Sequence, residues 1–334
     1  MGLWRWRKTL FRSLSLIEDG GMTSGSWPEL DFAEWRGTAL TLQLWMQVVG
    51  KTRLALTPWL NHSWQVPFYV TARGFGTSLI PNGAEAIDLE FDLVQHRLVG
   101  RSSGGETTTF DLGPMTVADF YSAAMQLLQK LDVPVAINPN PSELAYAVAF
   151  TDDHRQRAYD AGAAHRFWCV LLQADRLLKH FRTGFLGKAS PVHLFWGGFD
   201  LAVTRFSGRR APLHPGGVLG LSDRVTREAY SHEVSSAGFW PGSDQFPRAA
   251  FYSYAYPQPK GFDGAAVPDG AHYDVALGEF ILPYDNVRAA NDPDALVMAF
   301  LQATYTAAAS LGAWDRDDLE CALGIPNRPR SVRY

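Results

Sequence analysis

Between Ala86 and Val94 the chain alternates acids with apolar residues, Asp88, Glu90 and Asp92 against Ile87, Leu89, Phe91 and Leu93. A period of two is the period of a strand, and a strand with one apolar and one polar face belongs to an antiparallel sheet that is covered on one side and wet on the other. The flanking segments carry the helical period instead. Residues 35–49 read as a helix that Gly50-Lys51 closes, glycine being a frequent helix stop. Thr116 caps a second helix running to Leu131, with Asp119 three residues on as the acidic partner. Residues 65–72, 98–102 and 107–112 read as further strands, and 133–137 as a short one before the Pro-rich NPNPSEL.

The same order returns in the second half. A helix over 155–185 ends near Gly187-Lys188, strands follow at 191–206, 249–256 and 273–282, and Asp292-Pro293 opens a last helix over 294–311. LQLWMQVVGK aligns with KHFRTGFLGK, and TTTFDLGPMTVADFYSAAMQLLQ with GEFILPYDNVRAANDPDALVMAFLQ, as helix–glycine–lysine and as strand–loop–helix. The expected architecture is α+β: two similar helix–antiparallel meander–helix halves, 27–150 and 151–334, made by internal duplication and packed as a pseudo-twofold unit. Residues 1–26 are basic and amphipathic, and are expected to be a disordered or surface-lying leader outside the fold.

Composition narrows the class. Hydrophobic residues make up 46% and charged ones 19% of the chain, which suits a folded protein. A net charge of −4 gives no reason to expect a nucleic-acid partner. No apolar run is long enough for a membrane span. Cys169 and Cys321 are the only cysteines, and both read as buried free thiols, consistent with a cytoplasmic protein.

The halves differ where a site is expected. The second is longer by a segment, 207–248, rich in Gly, Pro, Arg, His and Trp, and a long irregular segment inside a folded unit is more often functional than decorative. Tyr252, Tyr254 and Tyr256 share one face of a strand, opposite Phe251, Ser253 and Ala255. Three phenols in a row suit either packing between the halves or the wall of a pocket. In PVHLFWGGFDLAVTRF a regular strand sets His193 and Arg205 on one face and Asp200 on the other, unless the Gly197-Gly198 pair makes a bulge that brings Asp200 over to His193.

Seven of the nine histidines follow residue 150. His193, His214 and His232 with Glu233 supply the ligand types of a mononuclear divalent-metal site, although SHEVS is not a metalloprotease motif. Arg205, Arg209, Arg210 and Arg227, with HPGG at 214–217, supply an anion cradle, and Trp196 an aromatic wall. Acid–base work falls to His193 or His232, with Glu233, Asp200 or Glu279 as the carboxylate; Glu279, inside an apolar strand, is the best candidate for a raised pKa. Lys188 would suit an aldehyde cofactor, but Lys51 at the matching place points to a structural role. No nucleophile elbow, P-loop or dinucleotide fingerprint occurs.

GKTRLALTPWLNHSWQVPFYVTARG, SPVHLFWGGFDLAVTRFSGR, REAYSHEVSSAGFWPG and GEFILPYD resemble an uncharacterised bacterial family, a domain of unknown function, over residues 27–320. The resemblance implies a bacterial, cytoplasmic protein and brings no activity, cofactor or catalytic residue. Two functions of different class remain from the residues. One is a small-molecule enzyme of acid–base or metal-assisted chemistry with its pocket in the C-terminal half. The other is a non-catalytic protein that binds an anionic or aromatic ligand. Oligomeric state and cofactor are not legible.

Overall fold

A computed structural model describes residues 27–144 and 148–330; the expectation for residues 1–26 lies outside them. The chain opens with α1 (Phe32–Leu56), capped by Asp31, whose carboxylate accepts from the Ala33 amide at 2.8 Å. Six strands follow: β1 (Tyr69–Val70), β2 (Gly74–Gly76), β3 (Ile80–Asn82), β4 (Glu85–Asp92), β5 (Arg97–Ser102) and β6 (Thr107–Asp111). They form an antiparallel sheet of order β1-β2-β4-β5-β6, with β3 also on β4. Then come α2 (Val117–Lys130), started by the Thr116 hydroxyl accepting from the Asp119 amide at 3.0 Å, and α3 (Ala161–Arg182), capped by Asp160. The second sheet is built from β7 (His193–Phe195), β8 (Asp200–Arg210), β9 (His232–Trp240), β10 (Ala250–Tyr256), β11 (His272–Asp274) and β12 (Glu279–Pro283), in the order β11-β12-β10-β9-β8-β7. A short helix α4 (Asp223–Ala229) precedes β9, and α5 (Tyr284–Ala289), α6 (Pro293–Leu311) and α7 (Arg316–Leu319) end the fold. The fold is α+β with two antiparallel sheets.

The sheets meet edge to edge: Phe68 and Leu194 exchange both backbone hydrogen bonds, at 2.9 and 2.8 Å. One apolar core runs through both halves, from Trp45, Phe91 and Phe120 to Phe167, Phe239, Phe251 and Tyr305. In the second sheet Leu201, Val203, Ala237, Phe239, Phe251 and Leu282 face α3 and α6, while Ala250, Tyr252 and Ile281 make a smaller cluster with Phe246 on the other face. None of the described helices is long and apolar enough to cross a membrane.

Several expected boundaries move, each for a local reason. α1 does not stop at Gly50: that glycine is where the Trp196 indole packs, and a Cβ would run into the ring. The expected strand 191–206 is a hairpin, turning at 196–199 through Phe199 in the left-handed region (φ 59°). The expected strand 273–282 is likewise a hairpin, with Gly278 at φ 72°. Residues 133–137 form no strand, and 65–72 reduce to the two residues of β1. The segment 207–248 is not an irregular insertion; it holds the end of β8, α4 and the central strand β9. The acidic face of β4 is not openly wet, since Asp92 is 1% and Glu90 9% exposed beneath Arg73, Arg97 and Arg101. Cys169 and Cys321 are free but only half-buried.

Candidate functional site

The site lies on the face of the second sheet turned away from α3 and α6. The hairpin register pairs Phe195 with Asp200 and His193 with Ala202, so Asp200 and His193 share a face and Arg205 takes the other. Strand pairing then sets Ala202, Gly238, Tyr252 and Ile281 side by side in one row, and Thr204, Ser236 and Tyr254 in the next. Glu279 stands one residue past the Ser253–Phe280 pair and so lies beside Tyr254.

The Tyr252 hydroxyl donates a short hydrogen bond to Asp200. It reaches Asp200 because residue 238 is glycine: a Cβ there would come within 2.6 Å of the phenol oxygen and collide with the Leu201 carbonyl. Tyr252 and Tyr254 stack at 6.2 Å, and Tyr254 meets the Tyr230 hydroxyl at 3.0 Å from the C-terminal end of α4. His214 closes the rim, its ring 4.8 Å from Tyr230 and 5.1 Å from Tyr256.

Glu143 completes the group from across the chain. Its carboxylate occupies the space a side chain on Gly197 would need, and a Cβ on Gly198 would lie 2.6 Å from Asp200 Oδ1 and 4.0 Å from Glu143 Oε2. Both carboxyls therefore border the same turn. The Glu143 backbone is left-handed (φ 57°), a conformation costly for a non-glycine residue and found where surrounding bonds enforce it. Here α1 supplies those bonds. Gln47 exchanges two hydrogen bonds with the Ser142 backbone, Lys51 donates to the Ser142 hydroxyl at 3.2 Å, and Gln43 donates to the Gly197 carbonyl at 2.6 Å.

Burial without a cation decides the electrostatics. Among the described residues no ion pair involves Asp200, Glu143 or Glu279. Burial, reinforced by the charge of Asp200, pushes Glu143 and Glu279 up to about 7. Burial also raises Asp200 to about 6, the Tyr252 hydrogen bond holding it back. Burial raises the Tyr252 and Tyr254 phenols well above their usual range. Yet Asp200, Glu143, Tyr230, Tyr254 and Glu279 are half-buried, not sealed. The three carboxyls and the tyrosines therefore form one cluster that is desolvated by surrounding protein and still touches solvent. At neutral pH such coupled carboxyls hold fewer negative charges than their number.

Of the residues expected from sequence, Asp200, Glu279, Tyr252 and Tyr254 meet here, with Tyr256 and His214 at the rim. The others are elsewhere. His193 is 1% exposed against Phe195 and Tyr69, and burial together with Arg53 depresses it to about 3, so it stays neutral. Arg205 is buried between α3 and α6 against Phe181, Phe185 and Tyr305, and so is no part of an anion cradle. Glu233 is bound by Arg209 at 2.6 Å, and Arg209 also donates to the Ala313 carbonyl beyond the end of α6. Arg227 pins the His214 and Pro215 carbonyls. Trp196 donates to the Val66 carbonyl. His232 lies beside Lys188, so His193, His214 and His232 do not assemble as metal ligands. Among the described residues no group of three His, Cys, Asp or Glu side chains is placed to hold a metal ion.

Glu143 and Tyr230 escaped the sequence reading. The polar stripe Gln43, Gln47 and Lys51 on an otherwise apolar helix was the available signal that α1 holds something polar. A surface cleft of about 520 Å³ along Ala299, Gln302, Ala303 and Thr306 contains no titratable group and competes poorly as a site of chemistry. No curated protein and no solved structure matches the chain. A family of unknown function (DUF5996) matches residues 27–321, and the chain belongs to that family.

Proposed function

We propose that Asp200, Glu143 and Glu279 border a recess that binds a small polar molecule and moves protons to and from it, making the protein an acid–base enzyme with its pocket in the C-terminal half. The observation that carries this reading is three carboxyls with no cation, gathered against three tyrosines. A carboxyl that titrates near neutral pH serves as general acid in one step and base in the next, and Glu143 and Glu279 have that property. Asp200, fixed by the Tyr252 hydroxyl, suits the orienting or charge-stabilising role. The ligand expected here presents amine or hydroxyl donors rather than an anion, because the arginines of the expected cradle point elsewhere and three carboxyls stand together without a cation.

The ring faces of Tyr230, Tyr252 and Tyr254 favour one alternative, non-catalytic capture of an organic cation. In the same reading the halves are copies of one helix–meander–helix unit about a pseudo-twofold axis, supported by the reciprocal Phe68–Leu194 bonds where their opening strands meet.

A thermal-shift panel of amines, polyols and carboxylic or phosphoric acids tests the assignment. Donor-rich compounds are expected to raise the melting temperature, and the shift to vanish in folded Asp200→Asn and Glu279→Gln variants. Shifts confined to anions, or unchanged in both variants, refute it. Turnover of a hit, lost in Glu143→Gln, separates enzyme from binder.

A further inference from the structure

A second cluster, where residues 61–63 pack against α4, is basic, and no carboxylate pairs with its lysine or arginine. His62 is 5% exposed, and both it and Ser63 are left-handed (φ 61° and 57°), so the loop is held in a costly shape. His62 Nδ1 lies 3.1 Å from the Ala229 carbonyl and donates to it, leaving Nε2 to accept from the Lys188 ammonium at 2.6 Å. Lys188 lies 4.7 Å from the Phe206 ring centre and 5.3 Å from that of Trp64. His232 stands 6.2 Å from His62 and pairs across the sheet with Arg210. His232 is half-buried and Lys188 and Arg210 are exposed, so the cluster is open to solvent.

Among the described residues neither Lys188 nor Arg210 forms an ion pair. Of the acids flanking His232 along the chain, Glu228 accepts from Trp59 Nε1 at 2.7 Å, and Glu233 is held by Arg209. A lysine and an arginine flanking an imidazole, with no carboxylate paired to either cation, favour an anion between them.

We propose that Lys188, His232 and Arg210, with His62 orienting the lysine, form a binding site for an oxyanion, the phosphate or carboxylate group of a small molecule. Lys188 and Arg210 supply the charge, and His232 a third donor once protonated. His62 is a positioning residue, because its Nδ1 is spent on Ala229. The site is independent of the acidic recess, and either reading stands if the other fails.

Isothermal titration with inorganic phosphate and with acetate, at ionic strength held constant with sodium chloride, is the test. Saturable binding of one or both is expected, weakened about tenfold or more in Lys188→Ala and His232→Gln, as for loss of a charge-assisted bond, and unchanged in the exposed Lys260→Ala. The His232 ring, followed by NMR, should titrate at higher pH with the anion bound; should Lys188→Ala not fold, His232→Gln and this shift carry the test. The stronger of the two anions names the group. Absence of saturable binding by either, or undiminished affinity in folded Lys188→Ala and His232→Gln, overturns the proposal.

Discussion

The two sheets treat the carboxyls on their outer faces in opposite ways. In the first, Asp92 is 1% exposed but is held by Arg73 at 2.8 Å, by Arg97 at 3.7 Å and by the Val94 and Gln95 amides. Burial alone would raise its pKa, and these bonds outweigh burial and hold it below the usual carboxylate range. At the second sheet Asp200 and Glu279, with Glu143 from the connection between α2 and α3, are desolvated with phenols and amides around them and no ion-pair partner, and all three rise. Burial pushes all four carboxyls up, and only Asp92 has cationic partners that outweigh it. What separates a lowered carboxyl from a raised one in this protein is the neighbouring arginine.

The largest effect that would sharpen the contrast belongs to the first sheet. Asp92→Ala leaves Arg73 and Arg97 without their shared anion and two amides without an acceptor, and should cost about 3–5 kcal/mol in urea unfolding, the range for breaking a buried pair. A loss below about 1 kcal/mol would place Asp92 among surface pairs of little consequence and remove one side of the comparison. Next comes Gly238→Ala. Its methyl would meet the Leu201 carbonyl, which cannot rotate away, and the Tyr252 hydroxyl. The expected cost is about 2–4 kcal/mol, with Tyr252 displaced from Asp200. Gly100→Ala in the first sheet is the control, since its Cβ would meet only the methyl ends of Leu127, Leu131 and Leu89, which can shift. Equal costs at the two glycines would show that Gly238 serves packing rather than the phenol–carboxylate bond.

The same contrast explains what the sequence did and did not disclose. The alternation around Asp88, Glu90 and Asp92 announced β4 and its register because periodicity is local, and the caps at Thr116 and Asp292 announced α2 and α6 for the same reason. Tyr252, Tyr254, Asp200 and Glu279 were legible as candidates because they interrupt apolar strands. Glu143 was not, since its place depends on Gln47 and Gly197, far away in sequence and unmarked by any pattern. β9 was hidden among the Gly-, Ser- and His-rich residues of 207–248, whose small side chains are what lets Tyr252 and Tyr254 lie across the strand. His193 and Arg205 misled for one reason: a polar residue in a strand looks like a site, and only the hairpin register shows which face it takes and whether that face is sealed.

The smallest effect tests the electrostatic claim directly. A carboxyl whose folded pKa lies above its unfolded value keeps its proton in the native state over a range where the unfolded chain has lost it. Glu279 and Glu143 start from 4.5 and rise to about 7, so their contribution is fully present below pH 4.5 and is lost as pH climbs through about 7. Asp92, with its lowered pKa, behaves in the reverse sense, stabilising above its unfolded value of 3.8 and failing only in acid. Glu279→Gln keeps the shape of the protonated acid and never ionises. It should therefore match the wild type near pH 4 and exceed it near pH 8 by about 1–2 kcal/mol, less than the bare shift implies because the group is partly solvated. Melting curves across that interval, with Glu143→Gln as a second instance, give the answer. If wild type and variants run parallel from acid to alkaline pH, the carboxyls of the second sheet are as well stabilised in their charged form as Asp92, and the recess has no proton to give.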